Sequence, residues 1–213
     1  MSPSSRAISC RTISRRRHSV ESFGNAADCI GKIESGDAIF AVTRGQFSML
    51  DAINAVIVQL EKPSISLWTW TIADYEVECM NSFLQNGSIL SGILVIDRSA
   101  EMRSAETIEE WRRRFGESNV RVCKNHAKIA RVWDSRFHVL LRGSMNLNFN
   151  PRFEQLDITE GGDDFSLVEK MENELPVLPR KCDNLEATNA SKLGLAFEKS
   201  TLKMFEGLKT WAK

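Results

Sequence analysis

An imidazole, an ammonium, a hydroxyl and a carboxamide recur at tight spacing between residues 126 and 146. His126 and Lys128 stand two apart, and Ser144 and Asn146 stand two apart just behind Gly143. These are groups suited to holding a tetrahedral phosphoryl group. Imidazole exchanges protons near neutral pH and can act as a nucleophile, while a fixed cation and an amide offset charge that develops on oxygen. The chain has only 3 histidines, so the placement of this one asks for an explanation.

Local geometry has to gather these groups. Side chains two apart on a strand project to the same side, so His126 and Lys128 are expected to point together with Ala127 turned away. "AKIARVW" and "FHVLLRG", joined by "DSR", read as two strands of a hairpin. Gly143 permits a sharp backbone turn at its end. Ser144 and Asn146 then follow where the chain leaves the sheet, near a helix N-terminus whose free N–H groups attract anions. Folding the hairpin back sets both pairs around one point.

The elements upstream must carry that hairpin. From about residue 36, buried strands ("DAIFAVT", "SISLWTWTI", "ILSGILVID", "VRVCKN") alternate with helical stripes: Leu50, Ile53, Ile57 and Leu60, then 74–87, then 104–116 with Ser104 as cap. Single helices between strands predict right-handed crossovers. The fold class expected is α/β, a mixed but mostly parallel sheet flanked by helices on both faces. "EQLDIT" (154–159) supplies a last strand.

On these residues the chain resembles the phospholipase D superfamily, whose signature is H-x-K-(x)4-D-(x)6-G-S-x-N. His126-x-Lys128, a hairpin aspartate at Asp134 and Gly143-Ser144-x-Asn146 carry the likeness, and the βα order extends it over residues 36–160. The hairpin is longer here: 129–133 and 135–142 separate the three parts of the motif, which lengthens its tip and leaves its root untouched. The resemblance implies a two-step phosphodiester displacement through a phosphohistidine on His126, with no metal and no cofactor. Lys128 and Asn146 would stabilise the phosphoryl oxygens, and Ser144 would hydrogen-bond beside them. Glu154, on the following strand, would hold the histidine tautomer. Asp134 and Gly143 would be structural, with Arg142 and Asn148 as substrate contacts. Such enzymes use a second histidine, yet His18 and His138 lack the H-x-K context. A twofold homodimer would supply His126 again, as in the small dimeric nucleases of that superfamily.

Blander readings stand beside these. His138, in an apolar strand, is expected to be a core residue, and Cys123 a buried strand residue rather than a nucleophile. Arg112, Arg113 and Arg114 suit a solvated helix end that complements the macrodipole. Trp68 and Trp70 share a strand face and can stack on bases, although such residues more often fill the core. Asn148 and Asn150 could line the site or shape a turn.

Composition bounds the rest. Five scattered cysteines argue against a disulfide framework or a zinc site. No apolar run is long enough for a bilayer, so the expectation is a cytoplasmic protein without membrane contact. A net charge of +0 hides a basic stretch over 111–142 followed by an acidic one over 154–188. The basic stretch suits a polyanion, DNA ahead of RNA. Residues 1–22 read as a disordered basic tail, 23–162 as the catalytic domain, and 163–213 as an acidic, Lys-rich helical extension that could cover the basic face. The expected function is therefore a metal-independent nuclease. A catalytically silent nucleic-acid-binding or regulatory module on the same fold is the alternative.

Overall fold

The computed structural model describes residues 16–21, 24–148 and 152–178. Asn150, the first fifteen residues of the expected tail and the extension beyond residue 178 lie outside the described residues. Within the stretch expected to be a tail, Arg16–Glu21 form strand β1, and a short helix α1 (Ala26–Ile30) follows. β2 (Asp37–Arg44) buries alternate side chains, Ile39, Ala41 and Thr43, on one face. α2 (Met49–Ile57) starts at Ser48, whose hydroxyl accepts from the Asp51 N–H at 3.2 Å while Asp51 accepts from the Ser48 N–H at 2.7 Å. This reciprocal cap satisfies two N–H groups that the first turn would leave open.

β3 (Ser64–Thr69), α3 (Asp74–Gln85), β4 (Ser91–Asp97), α4 (Ala100–Arg103), α5 (Ala105–Phe115) and β5 (Val120–Cys123) continue the alternation. Ser104 does occupy the N-cap position of α5, but its side chain makes no cap hydrogen bond. β6 (Ile129–Trp133) and β7 (His138–Gly143) form the hairpin, β8 (Phe153–Glu160) returns beside β7, and α6 (Asp163–Glu174) closes the described chain.

The eight strands form one sheet in the order β1-β2-β8-β7-β6-β3-β4-β5. Its pairing corrects the expectation of a mostly parallel sheet. β1–β2, β3–β4 and β4–β5 are parallel, whereas β2–β8, β8–β7, β7–β6 and β6–β3 are antiparallel. The physical reason lies in the middle of the sheet. Helical crossovers do return the chain in one direction, but β6 and β8 run against the others and lie between β2 and β3. Contacts that a doubly wound order would make parallel become antiparallel there.

The two faces are packed differently. On one, Trp111 and Phe115 of α5 lie against Gly92, where a Cβ would come within 2.7 Å of the Phe115 ring. On the other, Phe165, Val168 and Leu175 pack on Trp68, Val95 and Leu140. Here Arg131 and Glu172, 2 % and 1 % exposed, pair at 2.6 Å. Beyond α6, residues 176–178 line the β5 edge, with Leu178 N–H donating to Val120 O at 2.8 Å and Val122 N–H to Pro176 O at 3.2 Å. That covers an edge otherwise open to further strand pairing.

Candidate functional site

The C-terminal ends of β3 and β4 and the N-terminal end of β6 meet at one rim of the sheet, as the register of β3 against both neighbours requires. Here the chain from β5 to β6 is not the strand that the sequence suggested: residues 124–128 are irregular, and β6 begins only at Ile129. Side-chain bonds fix the loop instead. Buried Asn125 donates through Nδ2 to Thr69 O at 3.1 Å and accepts from the Ala127 N–H at 2.9 Å. Its own N–H goes to Asp97 at 2.9 Å. Burial raises the Asp97 pKa, but hydrogen bonds from Ser99 and Asn125 and the Arg103 charge outweigh it and hold the carboxyl below its ordinary value.

His126 projects from this braced loop and is exposed. Lys128 Nζ lies 3.0 Å from its Nδ1 and 3.4 Å from its Nε2, and donates to the His126 carbonyl at 2.7 Å. The ammonium therefore stands against the ring rather than beside one nitrogen. Lys128 is only 8 % exposed. Burial pulls its pKa down, and the Glu154 carboxylate opposes that pull.

The second half of the motif arrives on β7. The Gly143 N–H donates to Lys128 O at 3.1 Å, which joins the two motif segments backbone to backbone. A Cβ at Gly143 would collide with the Gln155 carbonyl oxygen, so only glycine lets β7 and β8 approach here. Ser144 Oγ accepts from the Gln155 N–H at 3.0 Å and donates to Glu154. Asn146 is partly exposed, but its side-chain oxygen is buried with no hydrogen-bond partner. Leu147 fixes the following turn through its O, which accepts from Ala73 N–H at 3.2 Å.

His126, Lys128, Gly143, Ser144 and Glu154 thus meet at one root, with Asn146 a short step along the chain. Glu154 touches Ser144 and bears on Lys128, while Lys128 is the group set against the imidazole. Asn148 is exposed at the margin of the described residues. Two expected residues sit elsewhere. Arg142 is instead paired with Asp164 of α6 at 3.0 Å. Asp134 lies at the far end of β6, where it accepts from Arg136 and Phe137 N–H at 2.7 Å and from Glu61 N–H at 2.8 Å. Burial opposes its ionisation, but these three backbone donors prevail and its pKa is lowered.

The bland readings sort as well. His138 is exposed rather than core, with its ring edge-on to Phe165 at 5.1 Å. Burial pushes the Cys123 thiol up to about 11, with Asp97 adding to it, so at neutral pH it is not a thiolate. Arg112 is buried and donates to Leu178 O at 2.9 Å, while Arg113 and Arg114 pair with Glu110. Trp68 is in the core and donates to Glu172 at 2.9 Å. Trp70 has left the strand, and its ring centroid is 5.6 Å from that of His126. Sequence reasoning placed Trp70 with Trp68 and missed Asn125 and Asp97 altogether. An end to β-branched and aromatic residues after position 72 did not reveal that the strand stops at Thr69.

Among the described residues no helix is long and apolar enough to cross a membrane, and no group of His, Cys, Asp and Glu could hold a metal ion. No family model matches the chain, and no curated protein matches it. Among solved structures it is similar to a phosphatidylserine synthase of Haemophilus influenzae Rd KW20, at 14% identity and a TM-score of 0.46, over 82% of this chain and 46% of that one. It is also similar to TrmBL2, an archaeal chromatin protein with a novel mode of DNA binding, at 12% identity and a TM-score of 0.39, over 63% of this chain and 50% of that one. The chain spans about half the length of both.

Proposed function

We propose that the protein is a metal-independent phosphodiesterase of the phospholipase D type, acting on nucleic acid, with DNA the favoured substrate, and completed as a homodimer. The observation that carries this reading is the joined root. Lys128 Nζ stands 3.0 Å from His126 Nδ1, and Lys128 O accepts from the Gly143 N–H that leads into Ser144. An imidazole and a cation are thereby joined at the rim to the segment that carries the hydroxyl, which supports this reading.

A His126 ring nitrogen attacks phosphorus, and the bond to the leaving ester oxygen breaks. The imidazole of His126 from a second copy gives that oxygen a proton and later takes one from water, whose oxygen then displaces His126. Lys128 and the Asn146 amide offset charge on the non-bridging oxygens, and Glu154 orients Ser144 and supports the charge on Lys128. Asn148 extends the binding surface. Arg142 is engaged by Asp164 of α6.

Cleavage of single- and double-stranded DNA in excess chelator, wild type against His126→Ala, tests the reading. Loss of at least about a thousandfold in rate is expected, as for removal of a covalent nucleophile. Equal cleavage by both proteins would overturn it. DNA binding by both with turnover by neither would point to the silent binding module instead.

A further inference from the structure

The same rim carries two aromatic residues that the hydrolytic step does not use, one on either side of the root. Trp70, half-buried just past β3, has the Arg103 guanidinium 4.4 Å above its ring. Phe153, at the start of β8, is 70% exposed, with the Arg44 guanidinium 5.3 Å from its ring centroid. Both arginines are exposed. β6 and β7 lie between β3 and β8 in the sheet. Their strands therefore stand three spacings, about 14 Å, apart, with β6 and β7, which lead to the root, between them.

We propose that these two Arg–aromatic pairs form a track for a single-stranded polynucleotide, its flanking bases stacked on Trp70 and Phe153 and its phosphates on Arg103 and Arg44. The inference rests on the phosphodiesterase reading only for the class of substrate. Every base has a π-face, so an aromatic ring beside a cation binds single strands with little regard to sequence. A guanidinium parked on a ring is already desolvated on one side and can move to a phosphate when a base takes its place. In a duplex the bases are stacked on one another, and neither ring could reach a base face without unpairing it. A lone exposed phenylalanine needs no explanation. Two ring-and-arginine pairs bracketing one anion site are harder to assign to packing, since Phe153 fills no core.

The experiment uses the full chain with His126→Ala, so that nothing turns over, and reads anisotropy of three labelled probes: an oligothymidine, the same sugar–phosphate chain without bases, and a duplex. Oligothymidine is expected to bind at least about tenfold tighter than the baseless chain. Phe153→Ala and Trp70→Ala should each remove about five- to a hundredfold of the oligothymidine affinity and leave the baseless chain unaffected. Phe153→Tyr should retain binding. Arg44→Ala and Arg103→Ala should weaken both single-stranded probes and each lower the salt slope by about one. Because Phe153 lies at the surface, its variants report on contact rather than folding. Equal affinity for probes with and without bases, a preference for duplex, or no effect of Phe153→Ala would overturn the track. Chelator-resistant hydrolysis of a small phosphodiester without bases, lost in His126→Ala, separates the two readings. Hydrolysis without base preference sinks the track alone, and base preference without hydrolysis sinks the phosphodiesterase alone.

Discussion

Lys128 is the residue on which the electrostatics of the root turn. It is buried enough that desolvation lowers its proton affinity, and Glu154 partly restores it. If the ammonium holds a phosphoryl oxygen, activity must fall on the alkaline side as Lys128 loses its proton. Glu154→Gln removes the carboxylate that favours the charged form, so the folded-state pKa of Lys128 drops further. The alkaline limb of the kcat profile should therefore move to lower pH in Glu154→Gln, while the acidic limb stays in place. A profile that shifts as a block, or an alkaline limb unmoved, would remove Glu154 from this role. Steady-state rates across pH for the two proteins decide the matter, and the same samples report on Ser144, whose hydroxyl donates to Glu154.

At the scale of elements, α6 is held to the sheet by charge as well as by apolar packing. Glu172 accepts from Arg131 at 2.6 Å, from Trp68 Nε1 at 2.9 Å and from Ser66. Removing one member of a buried pair strands the other, at a cost of about 3–5 kcal/mol. Glu172→Ala is thus expected to lower the urea midpoint strongly, and Arg131→Met with Glu172→Leu to recover much of the loss. Equal midpoints for wild type and Glu172→Ala would show that α6 is held by packing alone. The acidic run was legible in the sequence as composition only. Its role here depends on partners far along the chain, with Glu169 and Glu172 on Arg131 and Asp164 on Arg142, so up to residue 174 much of it is engaged with the sheet. Periodicity did disclose β2 through β5 with α2, α3 and α5, because alternation and helical stripes are local, although it missed the short α4. Strand order is not local, and nothing in "FHVLLRG" or "EQLDIT" says that β7 and β8 separate β2 from β3. The site shows the same division. His126, Lys128 and Ser144 stand out in the sequence by type and spacing, and Glu154 only through the resemblance. Asn125 and Asp97, which brace the histidine loop, look like ordinary turn residues until Thr69 is seen beside them.

For the whole molecule the question is how many chains make one site. Each chain brings one H-x-K and one G-S-x-N; His138 lies at the opposite end of β7 from Gly143, and His18 belongs to the edge strand β1. On the proposed displacement, a second copy of His126 about a twofold axis would be the separate acid. Subunit exchange makes this measurable. When wild type is mixed with an equal amount of His126→Ala and allowed to re-equilibrate, a site needing both imidazoles survives only in wild-type pairs. Specific activity per total protein should then fall to about a quarter of the wild-type value, since random pairing leaves that share of dimers intact. Chains that act alone would keep about half. Dilution gives a second reading, because dissociation of a dimer follows mass action. The rate per chain should drop as concentration falls below the dimer dissociation constant, and a rate per chain independent of concentration, together with the linear mixing result, would mean that a single imidazole does both jobs or that the acid comes from a group other than histidine.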